Sequence, residues 1–174
     1  MSPIGHCALG LALKPAAPKA PIWLLCAAAA CADFLSMALF AIGVEGPVRG
    51  FPWSHGLLMS IVWSALAAAL VFLCLRNARA ALITGALVLS HWLLDFVSHP
   101  IPFDTFSWKT WHWTQGRPLP GDLPLFFGQS PRVGLGFYNS ISAVQATALE
   151  FAMLAAGIAI YIRFRNDRSS AANG

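Results

Sequence analysis

The chain has 174 residues, of which 57% are hydrophobic and only 10% charged, and its mean hydropathy is +0.65. Soluble domains carry about 25% charged residues, so this composition excludes an ordinary soluble enzyme and implies a single integral membrane domain over 1–174, with the lipid bilayer as its surroundings. The formal net charge of +4 arises from 11 Lys and Arg against 7 acids; the basic residues form no patch, so no nucleic acid partner is expected.

In chain order, residues 2–13 are apolar but too short to cross, which predicts a half-membrane or interfacial helix that ends at the Pro-rich turn KPAAPKA, Lys14 to Ala20. A secretory signal over 1–32 is the weaker alternative, because it leaves the basic residues late and discards the surroundings of Asp33. Four apolar runs, 21–43, 56–75, 79–98 and 141–162, are long enough to cross hydrocarbon about 30 Å thick as helices. The second and third are joined by RNAR, Arg76 to Arg79, which allows only a tight antiparallel connection. The fold class expected is therefore all-α, a polytopic transmembrane bundle of four full spans plus a short N-terminal half-membrane helix. Lys14, Lys19, Arg76, Arg79, Arg163, Arg165 and Arg168 share one side, which the positive-inside rule makes cytoplasmic together with the C-terminus.

Residues 99–140 form a long non-cytoplasmic loop rich in Pro, Gly and Trp, and loops of that length commonly cover a site. Trp108, Trp111 and Trp113, with His112 among them, read first as an aromatic belt at headgroup level. Cys7, Cys26, Cys31 and Cys74 lie in apolar runs without CxxC spacing and read as small buried hydrophobes.

An acid or histidine inside a span costs a few kcal/mol, so it faces the bundle interior and has a partner or a task. Asp33, His91, Asp95 and Glu150 all lie within spans, and His55 and His99 lie at span ends. Helical rise places Asp33 ~20 Å from Ala20, His91 ~18 Å from Arg79 and Glu150 ~20 Å from Arg163, a common depth. Asp95 follows ~6 Å further out, and His6 can approach from the short first helix. In SHWLLDFVSHP, Ser90 to Pro100, steps of four keep His91, Asp95 and His99 on one helix face. The ~12 Å between the two histidines suits two ions bridged by Asp95 better than one, although Pro100 biases His99 out of the helix. Imidazole and carboxylate without thiolate suit a divalent metal, Zn²⁺ first, then Mn²⁺ or Fe²⁺. The metal ligands expected are His6, Asp33, His55, His91, Asp95 and His99. Asp95 and Glu150 are the candidate catalytic carboxylates, and Arg132 or Lys109 could hold a substrate phosphate.

IGHCALGLALKPAAP at the start, FPWSHGLLMS before the second span, VLSHWLLDFVSHP in the third and VGLGFYNS followed by Glu150 resemble a bacterial family described as inner-membrane-associated metal-dependent hydrolases, also called LexA-binding. The resemblance covers essentially the whole chain and extends distantly to the zinc-dependent phospholipase C superfamily. It implies a polar set of His6, Asp33, His55, His91, Asp95, His99 and Glu150, with Asn139 a weaker member on the substrate side. Two departures stand out: Asp33 is followed by Phe34 and Leu35 where relatives have DxD, and Ala146 precedes Glu150 where the soluble phospholipases have HxxxE.

The function expected is a membrane-embedded metal-dependent hydrolase of a phosphoester such as a phospholipid head group. It would reside in the bacterial inner membrane with its site facing the non-cytoplasmic side. The alternatives are a non-enzymatic membrane protein with a structural metal or a polar helix lock, an intramembrane zinc amidase of the ceramidase type built around Ser54 and His55, and an ion transporter.

Overall fold

The computed structural model describes residues 2–46, 51–98 and 135–173, and every regular element among them is helical. In lipid a backbone must satisfy its own hydrogen bonds, and a helix does so within one segment. The elements are α1 (Pro3–Ala12), α2 (Ile22–Ala29), α3 (Cys31–Ala41), the one-turn α4 (Pro52–His55), α5 (Leu57–Leu75), α6 (Ala78–Ser98), a 3-10 turn (Phe137–Ser140) and α7 (Ala143–Asn173).

Three of these helices, α5, α6 and α7, are long and apolar enough to cross a membrane, and the number rises to four if α2 and α3 form one span. Their outward faces carry large apolar side chains such as Leu70, Leu82 and Val144, each more than half exposed. An exterior of that kind suits hydrocarbon and is unlike the surface of a soluble monomer.

Two boundaries follow local chemistry closely. α5 ends where Arg76 takes a left-handed conformation (φ 48°), its N–H still bonded to the Phe72 carbonyl, and α6 begins under Asn77, whose Oδ1 accepts the Ala80 N–H at 2.8 Å. That is a left-handed stop followed by an Asn cap, and it folds RNAR into the tight turn its length requires. α5 and α6 then pack side by side. A Cβ on Gly85 would lie 2.9 Å from the Ser64 carbonyl oxygen, and the Ser64 hydroxyl donates to the Gly85 carbonyl at 2.7 Å. Small residues with hydroxyl bonds between backbones are the usual adhesive between helices in lipid.

The first apolar run differs from the expected straight span. It breaks at Ala30, and α2 and α3 diverge by 62°. The run CAAAACA has neither Pro nor Gly to mark a break. A side chain replaces the backbone ladder there: the Ala29 carbonyl at the break accepts a hydrogen bond from His91 Nδ1 at 3.0 Å, which satisfies the carbonyl that the bend frees. The last helix also differs, since it starts at Ala143 and runs to Asn173, well beyond the apolar stretch.

α1, at ten residues about 15 Å long, is inserted among α2, α6 and α7. Gly5, His6, Ala8 and Gly10 form its buried side. A Cβ on Gly10 would lie 2.8 Å from the Leu25 backbone, and one on Gly157 of α7 would lie 2.5 Å from the Ala8 carbonyl oxygen. The thiols of Cys7 and Cys26 each donate to the other residue's carbonyl across the α1–α2 contact, at 3.7 and 3.8 Å. The apolar core proper, including Leu25, Ala28, Ala29, Leu87 and Val88, lies between α2 and α6.

Candidate metal centre

Five of the expected ligands converge where α1, α3, α4 and α6 meet. His6 comes from the buried face of α1, Asp33 from the first turn of α3, His55 from the last residue of α4, and His91 and Asp95 from consecutive turns of α6. His6 is 0% exposed and His91 1%, so both imidazoles are removed from bulk solvent.

Asp95 lies at the middle. Its Oδ1 is 3.3 Å from His6 Nε2, and its Oδ2 is 3.4 Å from His91 Nε2 and 3.9 Å from His55 Nε2. Asp33 Oδ1 closes the ring at 3.7 Å from His91 Nε2 and 3.9 Å from His55 Nε2. Ligands at ~2.05 Å from a tetrahedral zinc lie ~3.3 Å apart, so contraction by a few tenths of an ångström brings these atoms to bonding distance. Two overlapping sets, His6 with Asp33 and His91, and His55 with His91 and Asp95, each have ligand atoms close enough to hold one ion.

The state of His91 follows from its surroundings. A carbonyl only accepts, so Nδ1 must carry the proton it shares with Ala29, and in a neutral ring Nε2 then has the lone pair. That nitrogen is buried without a hydrogen-bond partner, as are both nitrogens of His6 and Oδ2 of Asp33. A lone pair facing two carboxylate oxygens in a low-dielectric interior is repulsive unless a proton or a metal cation lies among them. Buried His and Asp groups in this arrangement could hold a metal ion.

Glu150, expected at the same depth, is directed elsewhere. Its oxygens accept the Ser2 N–H at 2.9 Å, the Ser2 hydroxyl, and the Tyr138 hydroxyl at 3.2 Å. It therefore ties the start of α1 to α7, and burial together with the adjacent Glu150 charge pushes the Tyr138 hydroxyl up to about 12. Asn139 is exposed in the 3-10 turn, where its N–H bonds the Gly136 carbonyl. His99, Arg132, Lys109 and the tryptophans of the long loop lie outside the described residues.

No family model, no curated protein and no solved structure matches this chain.

One residue of the site carried no signal in the sequence beyond being an acid in a short loop. Glu45 is 2% exposed; its Oε1 accepts the N–H groups of Trp53 and Ser54 at 2.7 and 2.8 Å, and its Oε2 accepts the Ser54 hydroxyl at 2.6 Å. Burial pushes its carboxyl above the ordinary range, against the pull of those three hydrogen bonds. On the other side of the centre, toward the basic end of the bundle, the buried Thr84 hydroxyl donates to the Ala80 carbonyl within its own helix.

Proposed function

We propose that this protein is a membrane-embedded metal-dependent hydrolase whose ion is held by His55, His91, Asp33 and Asp95, with His6 beside them. The observation that carries the reading is His91 Nε2, a buried nitrogen without a hydrogen-bond partner that lies 3.4 Å from Asp95 and 3.7 Å from Asp33, on a ring whose Nδ1 donates to the Ala29 carbonyl. Zinc is the preferred ion because the donors are imidazole and carboxylate at tetrahedral spacing. His91 offers a single nitrogen, so it serves one ion; a second ion between Asp95 and His99 would draw on a residue outside those described.

Bound there, a divalent ion supplies Lewis acidity that polarises a phosphoryl oxygen and lowers the pKa of water. The chain's own contribution is divided within Asp95, whose Oδ2 faces His91 and His55 and whose Oδ1 faces His6. His6 and Asp95 form a pair able to take up and return a proton at Oδ1 and Nε2. Glu150, bonded to Ser2 and Tyr138, fixes the helix that carries His6.

The substrate class is a phosphoester, with a phospholipid head group the first choice, because the ionisable cluster lies toward the end of α6 away from Arg76 and Arg79, within the apolar bundle. Positive-inside orientation makes that the outer side of a bacterial inner membrane.

A second reading, a structural metal without catalysis, is favoured by the near-complete burial of His55, His91 and Asp95 and holds if all four residues ligate at once, whereas the enzyme needs the partly exposed Asp33 to yield its position to water. Elemental analysis of the purified protein beside a His91→Ala, Asp95→Ala double variant, followed by phospholipid hydrolysis assays on both, separates the two readings. Stoichiometric metal and hydrolysis in the parent alone support the enzyme; metal without hydrolysis supports the structural site; equal metal in both removes the proposed ligands.

A further inference from the structure

We propose that Glu45 is a positioning residue for His55, acting through the Ser54 hydroxyl to fix which imidazole nitrogen faces the metal centre. The inference rests on the metal-centre reading for its consequence, but its physical content is a tautomer.

The three groups form a continuous chain. Glu45 Oε2 and Ser54 Oγ are 2.6 Å apart, Ser54 Oγ and His55 Nδ1 are 2.8 Å apart, and His55 Nε2 points onward to Asp33 Oδ1 and Asp95 Oδ2. Glu45 and Ser54 are almost fully buried, at 2% and 1% exposure, so water does not compete for these bonds. Three donors converge on the Glu45 carboxyl, which is the pattern of an ionised, accept-only group.

The single Ser54 hydroxyl hydrogen therefore goes to Glu45. The Ser54 oxygen can then only accept from His55, which puts the ring proton on Nδ1 and leaves the lone pair on Nε2, facing the cluster. His91 reaches the same tautomer through the Ala29 carbonyl. Two ligands on separate elements are thus presented by the same nitrogen, one oriented by backbone and one by a buried acid relayed through a hydroxyl. Outer partners of this kind set ligand orientation, and losing one commonly lowers metal affinity 10- to 100-fold.

Glu45→Gln is the informative variant because it preserves size. The amide oxygen can keep the two backbone N–H bonds while the amide nitrogen donates to Ser54, whose hydrogen must then turn to His55 Nδ1. The ring proton moves to Nε2, the nitrogen needed for ligation. Two measurements on the full chain in detergent test this: nitrogen-15 shifts of labelled histidine in the metal-free protein, with the His55 signal assigned from its loss in His55→Asn, and Zn²⁺ affinity by competition with a chelating dye.

The parent is expected to show the Nδ1–H form, and Glu45→Gln the Nε2–H form with a zinc Kd raised 10- to 100-fold. An unchanged His55 tautomer in Glu45→Gln, or an unchanged Kd, overturns the proposal while leaving the metal centre in place. A parent that takes up no zinc ends the metal reading, and the tautomer shift then decides the relay alone.

Discussion

The imidazole rings of His6 and His91 lie face to face, 3.7 Å between centroids and 14° between planes, although they come from α1 and α6. Two imidazolium rings at that spacing would repel by about 4 kcal/mol at an effective dielectric constant of ~20. At least one ring is therefore neutral, and a neutral buried imidazole offers a lone pair. His55 meets His91 edge-on at 5.3 Å, so three imidazole rings surround Asp95.

Metal loading should therefore stabilise the fold measurably. A ligand that binds only the native state adds about 4 kcal/mol at a thousandfold excess over its Kd. Addition of Zn²⁺ to chelator-stripped protein is expected to raise the thermal midpoint, and the rise should vanish in Asp95→Asn. A stripped protein indifferent to zinc, manganese and iron would count against the centre as a whole.

Glu150 separates folding from ligation. Replacing it with Ala removes one acceptor from Ser2 and from Tyr138, and an interaction with a charged partly buried group contributes about 1.5–3 kcal/mol. Glu150→Ala is expected to lower the thermal midpoint yet retain stoichiometric metal, because the His55, His91, Asp33 and Asp95 set does not include it. Loss of all metal with an unchanged midpoint would place Glu150 among the ligands instead.

The Tyr138 ring supplies a pH signature outside the spans. Its hydroxyl is shifted from 10.0 to about 12 by burial first and by Glu150 next. A phenol whose folded pKa is raised favours the native state fully below its unfolded value and loses that contribution as pH climbs through the folded one. Stability should thus fall between about pH 10 and 12, and part of that fall should be absent in Tyr138→Phe. Phenolate absorbance of the parent minus that of Tyr138→Phe isolates the titration; a difference curve centred on the ordinary value would remove the contact with Glu150.

Much of this is legible in the residues, and each exception depends on a contact made from another part of the chain. α5 and α6 were expected over 56–75 and 79–98 and are found at Leu57–Leu75 and Ala78–Ser98, because Gly56 and RNAR bracket them with strong stop signals. Axial counting also placed Asp33 and His91 at one depth, since a helix has a fixed rise per residue. Counting fixes depth along a span and leaves azimuth open, and Glu150 faces Ser2 and Tyr138. The break at Ala30 is not legible in CAAAACA because the side chain that satisfies the Ala29 carbonyl, His91, comes from another helix, and nothing in VEGP distinguishes a buried acid from a solvated one.

Close approach at Gly157 gives the sharpest test of the insertion of α1. A methyl group there would lie 2.5 Å from the Ala8 carbonyl oxygen, a backbone atom that cannot turn aside as a flexible side chain can. Overpacking of this kind costs about 1–3 kcal/mol, so Gly157→Ala should lower the thermal midpoint and, by displacing α1, loosen His6 from Asp95. Ala156→Leu, a larger change at the exposed neighbouring position, should leave the midpoint unaltered. Metal affinity gives the second readout: a destabilised Gly157→Ala protein that binds zinc more weakly supports α1 as part of the centre. Full affinity despite a lowered midpoint would show that His6 contributes nothing to ligation.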